Sequence, residues 1–233
     1  MIQDDFYKAI EANSFFNRNE PRSSDSFPRP SKIAIQTFID SDVELRRGDQ
    51  VLEIGCFIGD LLAEYRKKGM LVHGIEPSQN ACAFALRQFS IDIENVAFSQ
   101  SQFFGFDPQH EGRFNLVILD DVLGWVDRSR ILQSLAAIDW LVPKNGHIFI
   151  RELYSDTSYS VPNHHHPGED IRNYRHAHGH HQLLVGTGQY AVVKMHIRPT
   201  NQFQRVESPW HRAVWADVLL QKLPVDSIPI IHL

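Results

Sequence analysis

The sequence predicts an α/β fold in which a doubly wound, mostly parallel sheet carries helices on both faces and ends in an antiparallel hairpin. The first observation is that short apolar runs alternate with helical patterns across residues 48–152, as in consecutive β/α units. The second is a short apolar strand, residues 51–54, that enters a glycine-punctuated turn and then a helical pattern. With 233 residues and 42% hydrophobic content, the chain can form one large domain with a buried core.

The N-terminal part, residues 1–47, precedes the predicted sheet. Apolar residues recur at near-helical spacing over residues 3–18, which predicts an amphipathic helix that acts as a lid or a packing helix. Residues 19–30 contain three prolines and a serine cluster, so we expect a surface loop. Ser31 is a candidate cap for a helix over residues 32–39.

The turn after the first strand has the chemistry of a cofactor site. Gly55 and Gly59 lack a Cβ, so the backbone can turn sharply and a ligand can approach it closely. Phe57 stands where the dinucleotide fingerprint needs its second glycine, which argues against a nicotinamide enzyme. Glu53 precedes the turn, and we expect it to face a ligand that is cationic or rich in hydrogen-bond donors.

A second acid ends the next predicted strand, residues 70–76. Glu76 follows the turn at about the 20-residue distance at which such folds bind ribose hydroxyls. Pro77 and Ser78 then start a helix. A third strand is predicted at residues 95–98.

Two further strands complete the predicted parallel sheet. Residues 114–121 form a buried apolar run that ends in Asp120 and Asp121, at the carboxyl edge where ligands bind in such sheets. A helical pattern at 131–138 and a turn at 141–146 lead into the fifth strand, 147–152. Two β-rich runs at 190–197 and 211–220 predict the final hairpin, within a C-terminal part that spans 187–233.

In these features the chain resembles the class I S-adenosylmethionine-dependent methyltransferases. The resemblance implies a Rossmann-like, seven-stranded sheet whose last strand lies antiparallel beside the fifth. It also implies that residues 53–59 surround the methionine part of S-adenosylmethionine, that Glu76 binds the ribose, and that Asp120 or Asp121 lies between cofactor and acceptor. The stretch that would contact adenine contains Gln102 and Phe103 in place of the usual acid. The expected cofactor contacts are Glu53, Gly55, Cys56, Phe57, Gly59, Glu76, Pro77, Gln102, Phe103 and Asp120.

A histidine-rich insert, residues 153–186, follows the fifth strand and departs from the family pattern. It contains seven of the thirteen histidines. These side chains can serve the acceptor or act as general base, can hold a metal through H-x-H pairs, or can be solvated loop residues. We expect the first role, with no metal, because Glu169, Asp170 and Tyr174 accompany the histidines and can orient imidazoles or bind a polar substrate, and because no cysteine-containing ligand set is present. The candidate catalytic residues are His165, His166 and His178, with Asp121 and Glu152 as orienting groups.

Composition limits the partners that we expect. The formal net charge of −5 argues against nucleic acid as the substrate, because that binding needs a basic face. No apolar run approaches the roughly 20 residues of a membrane-spanning helix, and nothing resembles a signal peptide. The chain has only two cysteines, Cys56 and Cys82, which suits a reducing compartment, so we expect a cytoplasmic protein. We expect it to be a monomer or a homodimer.

The expected activity is methyl transfer from S-adenosylmethionine to an oxygen or nitrogen of a small-molecule metabolite. Two other classes remain open at this point. One is a methyltransferase that acts on RNA or protein, and the other is a regulatory protein that binds S-adenosylmethionine without catalysis.

Overall fold

The computed structural model describes residues 3–22, 26–166, 168–169, 171–199 and 214–224. A six-stranded sheet has the order β2-β1-β3-β4-β8-β7, and a separate two-stranded sheet pairs β5 with β6. The strands are β1 (Gln50–Ile54), β2 (Leu71–Ile75), β3 (Leu116–Asp120), β4 (His147–Tyr154), β5 (Tyr159–Pro162), β6 (Arg172–Arg175), β7 (Tyr190–Pro199) and β8 (Val214–Lys222). The helices are α1 (Gln3–Phe6), α2 (Ala12–Arg18), α3 (Pro30–Asp40), α4 (Asp60–Lys67), α5 (Gln79–Phe89), α6 (Ile131–Leu141) and α7 (His181–Val185).

The central strands are apolar on both faces because helices cover both. Alternate residues of β1 point to opposite faces, so Val51 joins one core cluster with α3 and α4, and Leu52 joins another with α6. The strands β1 to β4 pair in parallel, so their carboxyl ends meet at one edge. The doubly wound α/β prediction is confirmed.

The C-terminal hairpin is also confirmed. Strand β8 pairs antiparallel with β4 on one side and with β7 on the other. The last strand therefore lies beside the strand 147–154, as the family resemblance implied. Residues 211–213 of the predicted run lie outside the described residues.

The third strand predicted at residues 95–98 does not form. Glu94 makes only an isolated bridge to Ile75, and the Asn95 side chain donates to the carbonyls of Glu76 and Pro77 at 3.1 and 3.0 Å. Asn95 thus ties the chain to the end of β2, and a 3₁₀ turn follows at Phe98–Gln100. The main sheet has six strands in the described part of the chain, against seven expected.

The predicted helix over residues 3–18 is present, with a π-helical turn (Tyr7–Glu11) between α1 and α2. Gln3 anchors its start by donating to the carbonyls of Trp125 and Arg172 at 2.6 and 2.8 Å. The prediction that Ser31 caps the next helix is wrong. Helix α3 begins at Pro30, whose fixed φ suits the first helical position.

In the described ranges, the structure has no helix long and apolar enough to cross a membrane.

Candidate active site

A cavity of about 410 Å³ opens at the carboxyl ends of β1, β2 and β3. This volume is within the range typical of small-molecule sites. Its walls come from the strand ends, from the N-terminal helices, from the turn after β3, and from the histidine-rich segment. The residues that line it include Asp4, Tyr7, Glu11, Phe15, Arg18, Gly55, Phe57, Glu76, Pro77, Phe98, Ser99, Asp120, Asp121, Trp125, His164, His165, Arg175 and Trp215.

The turn after β1 has the strained backbone that its glycines predicted. Gly55, Phe57 and Gly59 have φ values of 70°, 52° and 71°. A Cβ at Gly55 would approach Val122 Cγ2 to 2.6 Å, so only glycine lets the turn pack against the segment after β3. Gly55 and Phe57 line the cavity. Cys56 is fully buried in the core, and Gly59 is the N-cap residue of α4, so neither lines it.

Glu76 is held by the backbone at the end of β2. Its Oε2 accepts a hydrogen bond from the Phe57 N–H at 2.9 Å, and its Oε1 accepts one from the Ser78 N–H at 2.8 Å. Burial raises the pKa of Glu76 to about 7, although these two bonds oppose the shift. Because a carboxylate offers about four acceptor positions, Glu76 retains capacity to accept from ribose hydroxyls. Its neighbour Pro77 also lines the cavity.

Glu53 does not face a ligand cation. It is fully buried, and its Oε1 accepts from Lys32 Nζ of α3 at 2.8 Å. The cation beside Glu53 is this internal lysine, and not a ligand as expected. Lys32 also donates to Asp120 Oδ2 at 2.9 Å. This role of Lys32 was not predictable from the sequence, because one lysine in an amphipathic helix is usually solvated.

The two adjacent acids after β3 have opposite environments. Burial alone would raise the pKa of Asp120, but Lys32 and Arg151 lower it, so this carboxylate stays charged. Burial raises the pKa of Asp121 to about 6, with only partial compensation from Arg175. Asp121 has a positive φ of 59°, and its Oδ1 lies 3.6 Å from Arg175 Nη1. Acids with separated pKa values in one cavity are candidates for different roles.

Gln102 and Phe103 are not brought to the cavity. Phe103 is buried against Phe114, with ring centroids 5.1 Å apart, and the Gln102 N–H donates to Glu94 at 3.0 Å. Both line a smaller cleft of about 280 Å³ beside β2. Phe98 and Ser99 line the main cavity instead, because the chain turns at Phe98–Gln100 and does not continue as a strand.

The histidines divide into separate environments. His164 and His165 line the cavity, and their ring centroids are 3.8 Å apart. His166 contacts the buried Glu11 carboxylate, which ties the insert to the N-terminal helices. His178 is exposed and lies outside the cavity, where its Nδ1 is 3.1 Å from the Tyr154 hydroxyl. No group of three or more His, Cys, Asp and Glu among the described residues is arranged to hold a metal ion.

Glu152 lies behind the cavity wall. It is 1% exposed, and its Oε1 and Oε2 contact the backbone N–H and the Nδ1 of His180 at 2.8 and 2.6 Å. Burial alone would raise the pKa of Glu152, but His180 and His181 lower it. Glu152, which was expected to orient a histidine or the substrate, contacts a histidine of the insert and anchors the start of α7, away from the cavity.

The N-terminal wall and the aromatic side chains were not predicted as site residues. Tyr7 lies with its ring centroid 5.6 Å from that of Trp125, and Phe15 packs edge-on against Phe57 at 5.5 Å. The near-helical spacing of residues 3–18 was the available signal. No comparable sequence pattern pointed to Arg175 or Trp215, because their positions depend on how the insert and β8 pack against the rest of the sheet.

Comparison with known proteins agrees with this architecture. Residues 31–188 match a family model described as a methyltransferase domain. No curated protein matches the chain.

Several solved structures share the fold at low sequence identity. A 1,6-didemethyltoxoflavin-N1-methyltransferase from Burkholderia thailandensis, with bound 1,6-didemethyltoxoflavin and S-adenosylhomocysteine, is 15% identical with a TM-score of 0.63, over 94% of this chain and 88% of that one. A putative S-adenosylmethionine-dependent methyltransferase from Listeria monocytogenes is 12% identical with a TM-score of 0.64, over 82% and 99%. The phosphoethanolamine N-methyltransferase 2 of Haemonchus contortus, in complex with S-adenosylmethionine, is 13% identical with a TM-score of 0.59, over 96% and 60%.

Proposed function

The chain belongs to the class I methyltransferase family, and we propose that it transfers a methyl group from S-adenosylmethionine to an oxygen or nitrogen of a small-molecule acceptor. The observation that carries the proposal is that one cavity of about 410 Å³ joins Glu76, held by two backbone N–H groups, with Asp121, a half-buried acid whose pKa is raised. The first suits a ribose and the second suits proton transfer.

The cofactor would be held by the strand ends and their turns. Glu76 has acceptor positions for the ribose hydroxyls, Gly55 and Phe57 present the turn to the methionine part, and Phe98 with Ser99 replaces Gln102 and Phe103 as the expected adenine contact. S-adenosylmethionine supplies the methyl group on a sulfonium that needs no further activation. The protein therefore acts by orienting the reactants and accepting one proton.

Asp121 is our candidate for the proton acceptor, with His165 as the alternative at the cavity wall. Asp120 is neutralised by Lys32, so it contributes a fixed charge and not a proton site. The N-terminal helices form one wall of the cavity through residues such as Tyr7 and Phe15, and this wall would shield bound reactants from water.

A small acceptor is favoured over RNA or protein by this enclosure. The N-terminal helices contribute Asp4, Glu11 and Arg18 to the wall, and a polymer would have to displace them. The small ligand in the Burkholderia structure supports the same choice. A silent, cofactor-binding protein would keep Glu76 but would have no use for a cavity acid of raised pKa like Asp121. Cys56 and Cys82 are both free thiols, which supports the cytoplasm as the compartment.

Calorimetry with S-adenosylmethionine and, in parallel, NAD tests the cofactor. We expect S-adenosylmethionine alone to bind, and the reverse result would refute the proposal. Release of S-adenosylhomocysteine in the presence of fractionated metabolite pools tests the activity. Binding without release from any pool would favour the regulatory alternative.

A further inference from the structure

We infer that the acceptor is a planar aromatic molecule with a phenolic or enolic hydroxyl, and that this hydroxyl binds between Asp121 and Arg175. The inference rests on the proposed function and narrows it from any oxygen or nitrogen to an acidic O–H group. It draws on the geometry of this residue pair, on the charges around it, and on the rings beside it.

The pair leaves space for one bridging group. Arg175 Nη1 and Asp121 Oδ1 are 3.6 Å apart, which is too long for a direct hydrogen bond. Asp121 Oδ1 is buried and has no hydrogen-bond partner among the described residues. A buried carboxylate oxygen without a partner is costly, so a ligand that donates to it gains binding energy. A hydroxyl can donate to Asp121 while its oxygen accepts from the Arg175 guanidinium.

The Arg175 side chain is built into the wall. It is 1% exposed, and a Cβ at Gly124 would lie 2.5 Å from its Nη1. Only a glycine at position 124 therefore lets the guanidinium take this place against the turn after β3. The cation is fixed beside Asp121 and cannot turn away into solvent.

The local charges select the kind of nucleophile. A hydroxyl that loses its proton becomes an anion, which the Arg175 guanidinium stabilises. A protonated amine would instead be repelled by that same cation. Asp120, the next acid in the chain, is already neutralised by Lys32 at 2.9 Å, so it adds little attraction for an ammonium group. The balance favours an acidic O–H over a basic amine.

Aromatic side chains line the same cavity as this polar pair. Tyr7, Trp125 and Trp215 line the cavity along with Asp121 and Arg175, and the first two rings are 5.6 Å apart. Flat ligands bury much area against such rings at low entropic cost. A phenol or enol also has the low pKa that transfer to a carboxylate requires, since phenolic hydroxyls ionise near pH 10 and saturated alcohols much higher.

The proposed reaction moves one proton and one methyl group. The acceptor O–H bond breaks and its proton passes to the Asp121 carboxylate. An oxygen lone pair forms the new O–CH₃ bond while the methyl–sulfur bond breaks, and its electron pair stays on sulfur as a neutral thioether. The products are an aryl or enol methyl ether, S-adenosylhomocysteine and one proton, which leaves from Asp121 to solvent.

A cofactor-free experiment tests the binding step. We would titrate 4-nitrophenol, whose phenolate absorbs in the visible, in complex with the wild type, Asp121→Asn and Arg175→Met proteins. Loss of the carboxylate should lower the apparent pKa of the bound phenol, and loss of the guanidinium should raise it. A general structural defect would not give opposite shifts. His178→Ala, which changes an exposed residue outside the cavity, is the matched control and should leave the value unchanged. Equal pKa values in all four variants would overturn the inference.

Turnover with phenols of different acidity tests the chemical step. With 4-methoxyphenol, Asp121→Asn should lower turnover by about 10²–10⁴-fold, the usual contribution of a general base. With 4-nitrophenol, of which a large fraction is already phenolate at neutral pH, the loss should be less than about tenfold, because less of the substrate needs a general base. If 1-naphthylamine is methylated and 1-naphthol is not, the inference fails although the proposed methyltransferase function stands. If S-adenosylmethionine itself does not bind, the function fails instead.

Discussion

Lys32 Nζ lies 2.8 Å from Glu53 Oε1, and neither side chain is more than 5% exposed. The same ammonium contacts Asp120. A second buried ion pair lies on the neighbouring strands, where Arg151 Nε is 2.5 Å from Asp217 Oδ1. Helix α3 thus supplies the cation that balances two strand-end acids. Such buried charges depend on one another, because removal of one partner leaves the others without compensation.

Lys32→Met should therefore destabilise the protein by about 3–5 kcal/mol, the cost of breaking a buried pair. Lys68→Met is the matched control, because Lys68 is 46% exposed and its contact with Asp40 is at the surface. That change should cost less than about 1 kcal/mol. Urea unfolding at neutral pH measures both. Adding Glu53→Gln to Lys32→Met should restore part of the loss, and equal stability of the two lysine variants would show that the buried pair has no such role.

Glu76→Ala should weaken S-adenosylmethionine binding by about 1.5–3 kcal/mol, because hydrogen bonds to a charged carboxylate are lost. Calorimetry gives the dissociation constant directly. Glu64→Ala is the control, since Glu64 pairs with Lys67 on the surface of α4 and lies outside the cavity. An unchanged dissociation constant for Glu76→Ala would mean that the ribose lies elsewhere.

The raised pKa of Glu76 also predicts a pH dependence in the cofactor-free protein. The unfolded carboxyl ionises near its ordinary value of 4.5, and the folded one near about 7. Between these values the unfolded state loses its proton first, so the contribution of Glu76 to stability is full below pH 4.5 and is lost as pH rises to about 7. Over this interval Glu76→Gln should reduce the fall in unfolding free energy by up to about 3 kcal/mol. Urea unfolding at several pH values tests this, and identical pH profiles for both proteins would contradict it.

Local patterns predicted much of the fold, and they singled out Gly55, Phe57 and Glu76, which line the cavity. The apolar run before Gly55 and the acid at Glu76 are signals within a few residues of chain, and they specify a strand, a turn and a ligand edge. The third strand failed at Asn95, where a side chain bonds to the end of β2 in place of continued pairing. Propensity alone does not reveal such a competing side-chain contact.

The proposed acceptor side of the cavity depends on contacts between distant parts of the chain. Tyr7, Trp125 and Arg175 meet only because the N-terminal helices and the histidine-rich segment fold over the same sheet edge. The clustering of histidines predicted a functional role for the insert, but it did not predict which rings line the cavity. Glu152 likewise points behind the wall to His180, because it continues β4 on a buried face.

Glu152→Ala should therefore lower stability and spare catalysis. It leaves the buried His180 ring and backbone N–H without their acceptor, which should cost about 3 kcal/mol. Turnover per folded molecule should stay within about threefold of the wild type, in contrast to the loss expected for Asp121→Asn as a general base. Thermal unfolding and steady-state kinetics below the melting temperature separate the two effects. A stable Glu152→Ala protein without turnover would return Glu152 to the catalytic group.

His164 and His165 present the clearest test of the histidine-rich segment, because they line the cavity while His178 is exposed outside it. Changing the first two together to alanine should raise the KM for the acceptor by about two- to tenfold, because the acceptor would lose a contact worth about one neutral hydrogen bond. The dissociation constant for S-adenosylmethionine should stay nearly constant, because the expected cofactor contacts come from the strand ends. His178→Ala should change neither quantity.

His166 is left intact in the double variant so that its contact with Glu11, which ties the segment to the N-terminal helices, is preserved. Calorimetry for the cofactor and initial rates over a range of acceptor concentrations give both numbers. An unchanged KM in the double variant, or an equal effect from His178→Ala, would show that these histidines are solvated loop residues without a role at the acceptor.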